Sequence, residues 1–143
     1  MSTNLDTAVT EIAKVVNRVA GINAAPAYPP ESMTESVFAL TYIQAGDMDI
    51  ASEGSRHSLW DINIDVLCVR NNLTRDMKKL LSILDPLKDA IAAEVSTDGD
   101  QFTDSIETFR NLHCEFVPEY TYQGVQYVGY RYTMQGVKFI EYP

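Results

Sequence analysis

The sequence predicts an α+β domain, in which two β-hairpins form one antiparallel or mixed sheet packed by two helices, in the order α-β-β-α-β-β. Three observations lead there. Two segments repeat apolar residues at three- and four-residue spacing, a third alternates strictly, and a pair of aromatic-rich segments flanks a Gln-Gly turn. The 143 residues are the length of one domain. A chain of this size buries about 70% of its unfolded surface, enough for one core, so 1–143 reads as a single unit.

In the first helix Leu5, Ala8, Val9, Ile12, Val16 and Val19 draw one apolar stripe. Thr3 or Asn4 suits its cap, Asp6 the positive end of its dipole, and Gly21 its exit. The stretch Asn23 to Glu35 holds Pro26, Pro29 and Pro30 and is expected to cross the fold in extended form. Ser36 to Gln44 is rich in β-branched and aromatic residues and reads as a strand. From Ser58 to Arg70 the pattern is clearer. Trp60, Ile62, Ile64, Val66 and Cys68 share one face, and Asp61, Asn63 and Asp65 the other, which is expected to be wet or at an interface. Between these strands Ala45 to His57 is expected to form a long loop.

The second helix is expected over about Leu73 to Ala93. Its stripe is Leu73, Met77, Leu80, Leu81, Leu84, Leu87 and Ile91, with Asn72 as cap. The stripe keeps its phase across Pro86, which predicts one kinked helix and not two. Arg110 to Tyr122 and Val125 to Phe139 then form the second hairpin, turning at Gln123-Gly124. Pro118 marks an edge or a bulge, and Gly129 and Gly136 mark a bulge or a close backbone approach.

The net charge is −9. That balance disfavours duplex DNA or an anionic membrane as a direct partner, because phosphate contacts need clustered Lys and Arg. Between Asp89 and Phe109 the charged residues are all acids: Asp89, Glu94, Asp98, Asp100, Asp104 and Glu107. No apolar run approaches the roughly 18 residues of a membrane span. The opening Met-Ser-Thr-Asn-Leu-Asp lacks the basic and apolar character of a signal peptide, which predicts synthesis and residence in a cytoplasm. Cys68 and Cys114 lie in apolar segments and are expected to be free buried thiols.

The search for a reaction centre comes back empty. His57 and His113 stand apart, without the spacing of a metal site. Asp98-Gly99-Asp100 lacks the other ligands of a calcium loop and reads as a turn. The glycines form no phosphate-binding loop, and no nucleophile elbow occurs. The aromatics of the last hairpin could stack bases, but Arg131 is the only Lys or Arg between Asn111 and Val137, so the electrostatic half of such a site is missing. A non-enzymatic protein without metal or cofactor is the expectation, with aromatics serving core and interface.

The segments LDTAVTEIAKVVNRVAGI, APAYPP, LWDINIDVLCV, LTRDMKKLLSILDPLKDAI and FVPEYTYQGVQYVGYRYTMQGVKF run in that order along most of the chain. Together they resemble the tail terminator, or tail completion, proteins of long-tailed bacteriophages, in element order and texture and not through a strict motif. The resemblance implies a virion structural protein, a small α+β subunit of a hexameric ring that caps the tail tube. It implies as partners further copies of the chain, the tail tube protein and a head-completion or neck protein. Genomic DNA would pass without specific binding, and no catalytic residues carry over. Acidic walls would ease that passage by like-charge repulsion. Asp47, Asp49 and Glu53, or Asp98 and Asp100, are thus candidates for the lumen or an interface. Two other readings compete: a different head–tail connector or neck subunit, and a non-viral peptide- or ligand-binding module.

Overall fold

The computed structural model describes residues 5–26, 37–49, 57–70, 73–95 and 106–139. Helix α1 (Leu5–Asn17) forms on the predicted stripe, with Ala8, Val9, Ile12 and Val16 buried. It frays through Arg18 and Val19, whose amides donate to the carbonyls of Val15 and Val16 at 3.2 and 3.1 Å. Gly21 then takes φ 97° at the exit, a left-handed turn that glycine makes without strain. A Cβ there would also press on Ile83 of the second helix. The chain next runs beside the first strand, joined by a parallel bridge from Ala24 to Phe38. The rest of the predicted crossing, 27–35, lies outside the described residues.

Strands β1 (Val37–Asp49) and β2 (His57–Val69) pair as an antiparallel hairpin. β1 runs past the Gln44 boundary expected from sequence, so Asp47 and Asp49 belong to a strand and not to a loop. The reason is an unusual pair. Gly46 lies opposite Trp60, and a Cβ on Gly46 would overlap the indole ring. Glycine has poor strand propensity, but a cross-strand aromatic can cover it and keep the ladder going. A bulge between Ile43 and Ala45 absorbs the extra residue.

Helix α2 (Leu73–Val95) is continuous through Pro86. Leu80, Ile83, Leu87 and Ile91 form its buried line, with Met77 and Leu84 on the shoulder. Leu81, expected in the stripe, is 53% exposed. At 100° per residue it points a quarter turn away from Leu80, and Ile83 takes the core position instead.

After α2 comes a strand the sequence reading missed, β3 (Ile106–Thr108), within what was expected to be acidic loop. Strands β4 (Asn111–Tyr122) and β5 (Val125–Phe139) follow as the second hairpin. Gln123 and Gly124 have φ 53° and 78°, the two left-handed residues that a tight hairpin turn requires. Both β3 and β4 pair with β5 on the side away from β2, so the long strands lie in the order β1-β2-β5-β4. Every ladder is antiparallel.

The helices cover one face of this sheet, α1 over β1 and α2 over β2, β5 and β3. The core between them joins Ile12 and Val16 to Ile62, Ile64 and Val66, and to Tyr130, Tyr132 and Met134. A second, smaller cluster of Phe38, Leu40, Leu67 and Tyr127 lies on the opposite face. Gly129 permits the close approach of β2 and β5 at that point, where any Cβ would collide with the Val66 carbonyl oxygen.

Candidate functional site: the open face and the edges of the sheet

On β2, of the three side chains expected to be wet or at an interface, Asp61 is half-buried and the other two are buried. Asn63 and Asp65 are 2% and 1% exposed. The register explains this correction. It places Asp65 opposite Arg131 of β5, and Arg131 opposite Glu115 of β4. A carboxylate, a guanidinium and a second carboxylate therefore stand side by side across three strands.

Asp65 Oδ1 accepts from Arg131 Nε at 2.7 Å, and Oδ2 accepts from Nη2 at 3.2 Å and from the Tyr42 hydroxyl at 2.8 Å. Glu115 reaches Arg131 at 4.0 Å, and the Tyr42 ring lies under the guanidinium, 6.0 Å from centroid to Cζ. The hydrogen bond and charge of Asp65 hold the Arg131 guanidinium protonated even more firmly than usual. Burial, then the Asp65 carboxylate, push the Tyr42 phenol above its ordinary range, and Tyr120 is raised for the same reasons. One row along the sheet, Thr133 Oγ1 donates to Asn63 Oδ1 at 2.8 Å.

This cluster is built to be inert. A general base needs a lone pair that substrate can reach, and both oxygens of Asp65 are engaged and out of water. Tyr42 and Tyr120 are held as neutral phenols. At one end of the same face Phe38, Tyr122 and Tyr127 form an aromatic shelf, with Phe38 edge-on to Tyr127 at 5.1 Å and 6.1 Å from Tyr122. At the other end Asp61 Oδ1 accepts from the Gly136 amide at 3.0 Å, in a small polar recess that Arg110 also lines.

The helix-covered face holds the two cysteines. Both are free, Cys68 buried and Cys114 half-buried, not buried as expected. Burial raises both thiols above their usual range, so neither is primed as a nucleophile. Tyr132 donates to the Leu84 carbonyl at 2.7 Å, two residues before Pro86 of α2. Tyr130 is fully buried and edge-on to Phe116 and Tyr132, and its hydroxyl has no partner among the described residues. Between the C-terminal halves of the helices lies an apolar groove of about 340 Å³, lined by Val15, Val19, Pro86 and Ala90.

Of the acids singled out from sequence, Asp47 and Asp49 fall at the far end of β1, in register with Leu59 and His57. Glu53, Asp98 and Asp100 lie outside the described residues. Among the described residues no group of three or more His, Cys, Asp or Glu could hold a metal ion. Among the same residues no helix is long and apolar enough to cross a membrane. What sequence reasoning missed is the Asp65–Arg131–Glu115 row. Arg131 alone among aromatics was a signal, since a cation in a half-buried strand calls for an acid on its neighbours.

The edges complete the picture. Among the described residues β1 is bridged on its outer side only at Phe38, by Ala24, and β4 pairs only with β5. Compared with known proteins, the chain matches no family model and no curated protein.

Proposed function

We propose that the protein is a non-enzymatic, self-assembling structural subunit, and specifically a ring-forming tail terminator that caps a phage tail tube and joins it to the neck. The observation that carries this reading is a sheet that the described residues leave open at both ends, along β1 beyond Ala39 and along β4. A ring of more than two copies needs two different, mutually complementary surfaces on each subunit. Open strands at opposite ends of one sheet are such a pair, since each presents unpaired amides and carbonyls to the next copy.

Two further features support it. The buried polar groups on the open face, Asp65 with Arg131 and Tyr42, and Asn63 with Thr133, engage one another, which suits a wall better than a reaction centre. The charge of −9 suits a surface that DNA passes without adhering. In this reading either Asp47 and Asp49, at the tip of the β1–β2 hairpin, with Glu53, or else Asp98 and Asp100, border the channel.

The test is to mix the purified protein with tail tubes and image the product. A ring at one tube end is expected. A protein that stays monomeric at every concentration and never associates with tubes refutes the assignment. A ring found on the head side of the neck makes it a connector instead. Replacing Asp47, Asp49 and Glu53 by Lys should leave tails assembled but impair DNA passage, and normal infectivity would remove these acids from the channel.

A further inference from the structure

β4 is the least protected strand of the sheet. On the helix side it carries Leu112, Cys114 and Phe116, yet α1 and α2 pack chiefly over β1, β2, β3 and β5. Phe116 is consequently 46% exposed, although its ring packs on Tyr130. An exposed aromatic side chain thus adjoins a strand edge that no described residue covers, a combination that soluble proteins avoid unless something covers it.

The sequence of β4 indicates what covers it. Two copies of a strand can pair antiparallel about a two-fold axis perpendicular to the sheet. Side chains then stay on their own faces only if a residue itself lies on the axis. An axis at Glu115 would set two acids face to face. An axis at Cys114 sets Leu112 opposite the partner's Phe116 on the helix side, and His113 opposite the partner's Glu115 on the open face, each twice by symmetry. Asn111 meets the partner's Val117, and the pairing stops before Pro118, which has no amide to give. Both His113 and Glu115 are exposed, so they are placed to meet across such a seam.

We propose that β4 pairs with β4 of a second copy, antiparallel about Cys114, joining two five-stranded sheets into one. The contact is isologous, so it does not rest on the ring reading. It uses the edge that a ring would need, and therefore describes the free subunit before assembly.

Analytical ultracentrifugation across a concentration series, combined with an exchange of the facing His113 and Glu115 side chains, tests it. The wild type is expected to show a monomer–dimer equilibrium. His113→Glu sets acid against acid across the seam and should raise the dissociation constant about tenfold or more. The double variant His113→Glu/Glu115→His restores the opposite pairs and should return to within about threefold of wild type, which a merely sticky surface would not do. A short bis-maleimide should link the wild type into dimers through Cys114 and fail with Cys114→Ser, Cys68 being buried. Circular dichroism confirms that the variants are folded. A protein monomeric throughout, a dimer indifferent to His113→Glu, or a swap that rescues nothing overturns the proposal. Cyclic oligomers that ignore all three changes overturn it too while leaving the ring intact.

Discussion

Replacing Arg131 by Met should destabilise the protein by about 3 kcal/mol, because it strands a carboxylate that the fold has already taken out of water. Asp65 is 1% exposed and receives two hydrogen bonds from this guanidinium. Removing one partner of a buried pair costs about 3–5 kcal/mol, most of it the uncompensated charge left behind. The lower end applies here. Arg131 is 28% exposed, so solvent already weakens the pair, and the Tyr42 hydroxyl remains on Oδ2. With a urea dependence of about 2 kcal/mol per molar, the unfolding midpoint should fall by about 1.5 M. The companion variant is Asp65→Leu/Arg131→Met, which fills the row with apolar groups of similar reach. It should recover at least about 2 kcal/mol of the loss, since an isosteric apolar replacement of a buried ion pair is often neutral. An Arg131→Met cost below about 1 kcal/mol would refute the reasoning. So would a double variant as unstable as the two single changes added together.

Two neighbouring tyrosines should behave in opposite ways. Tyr132→Phe loses the bond to the Leu84 carbonyl and should cost about 1 kcal/mol in chemical denaturation, whereas Tyr130→Phe removes a buried hydroxyl without a partner and should be neutral or slightly stabilising. A Tyr130→Phe loss as large as that of Tyr132→Phe would mean that its hydroxyl bonds an internal water. Alkali gives a third expectation. Burial raises both phenols above their ordinary range, so the unfolded chain releases protons before the folded one does. Their stabilisation is complete below about pH 10 and declines above it, by about 3 kcal/mol per pH unit for the two together. Melting temperatures measured from pH 8 to 11 should hold steady and then fall steeply, and a flat profile through pH 11 would contradict the burial of these groups.

The elements most legible in the sequence were those set by local rules. α1 and α2 follow a helical stripe, β2 follows strict alternation, and the second hairpin announces its turn in Gln123-Gly124. What could not be read depends on partners far along the chain. Asp65 looked like a solvent-facing acid because alternation reports which face a residue takes, not whether that face is covered. The residue that neutralises it is 66 positions away, and no turn fixes the register between β2 and β5. β1 ran past its expected end because a glycine was covered by Trp60 on the next strand. Leu81 was misplaced for a different reason: a leucine-rich helix offers more apolar positions than its buried line can use, and only the packing of Ile83 on the core chose between them.

The same accounting bears on where function lies. Across the open face, Asp65, Arg131 and Tyr42 satisfy one another, as do Asn63 and Thr133. Groups bound in this way resist change and offer little to a ligand. Among the described residues no strand or bridge pairs the outward amides and carbonyls of β1 beyond Ala39, or those of β4. A buried backbone group must find a partner, and an exposed strand recruits one readily from another strand. The residues of highest chemical interest in the sequence are thus those the fold has most fully used up. The capacity that remains is concentrated in the backbone of two edges and in the apolar side chains beside one of them, which is the arrangement that association between copies requires.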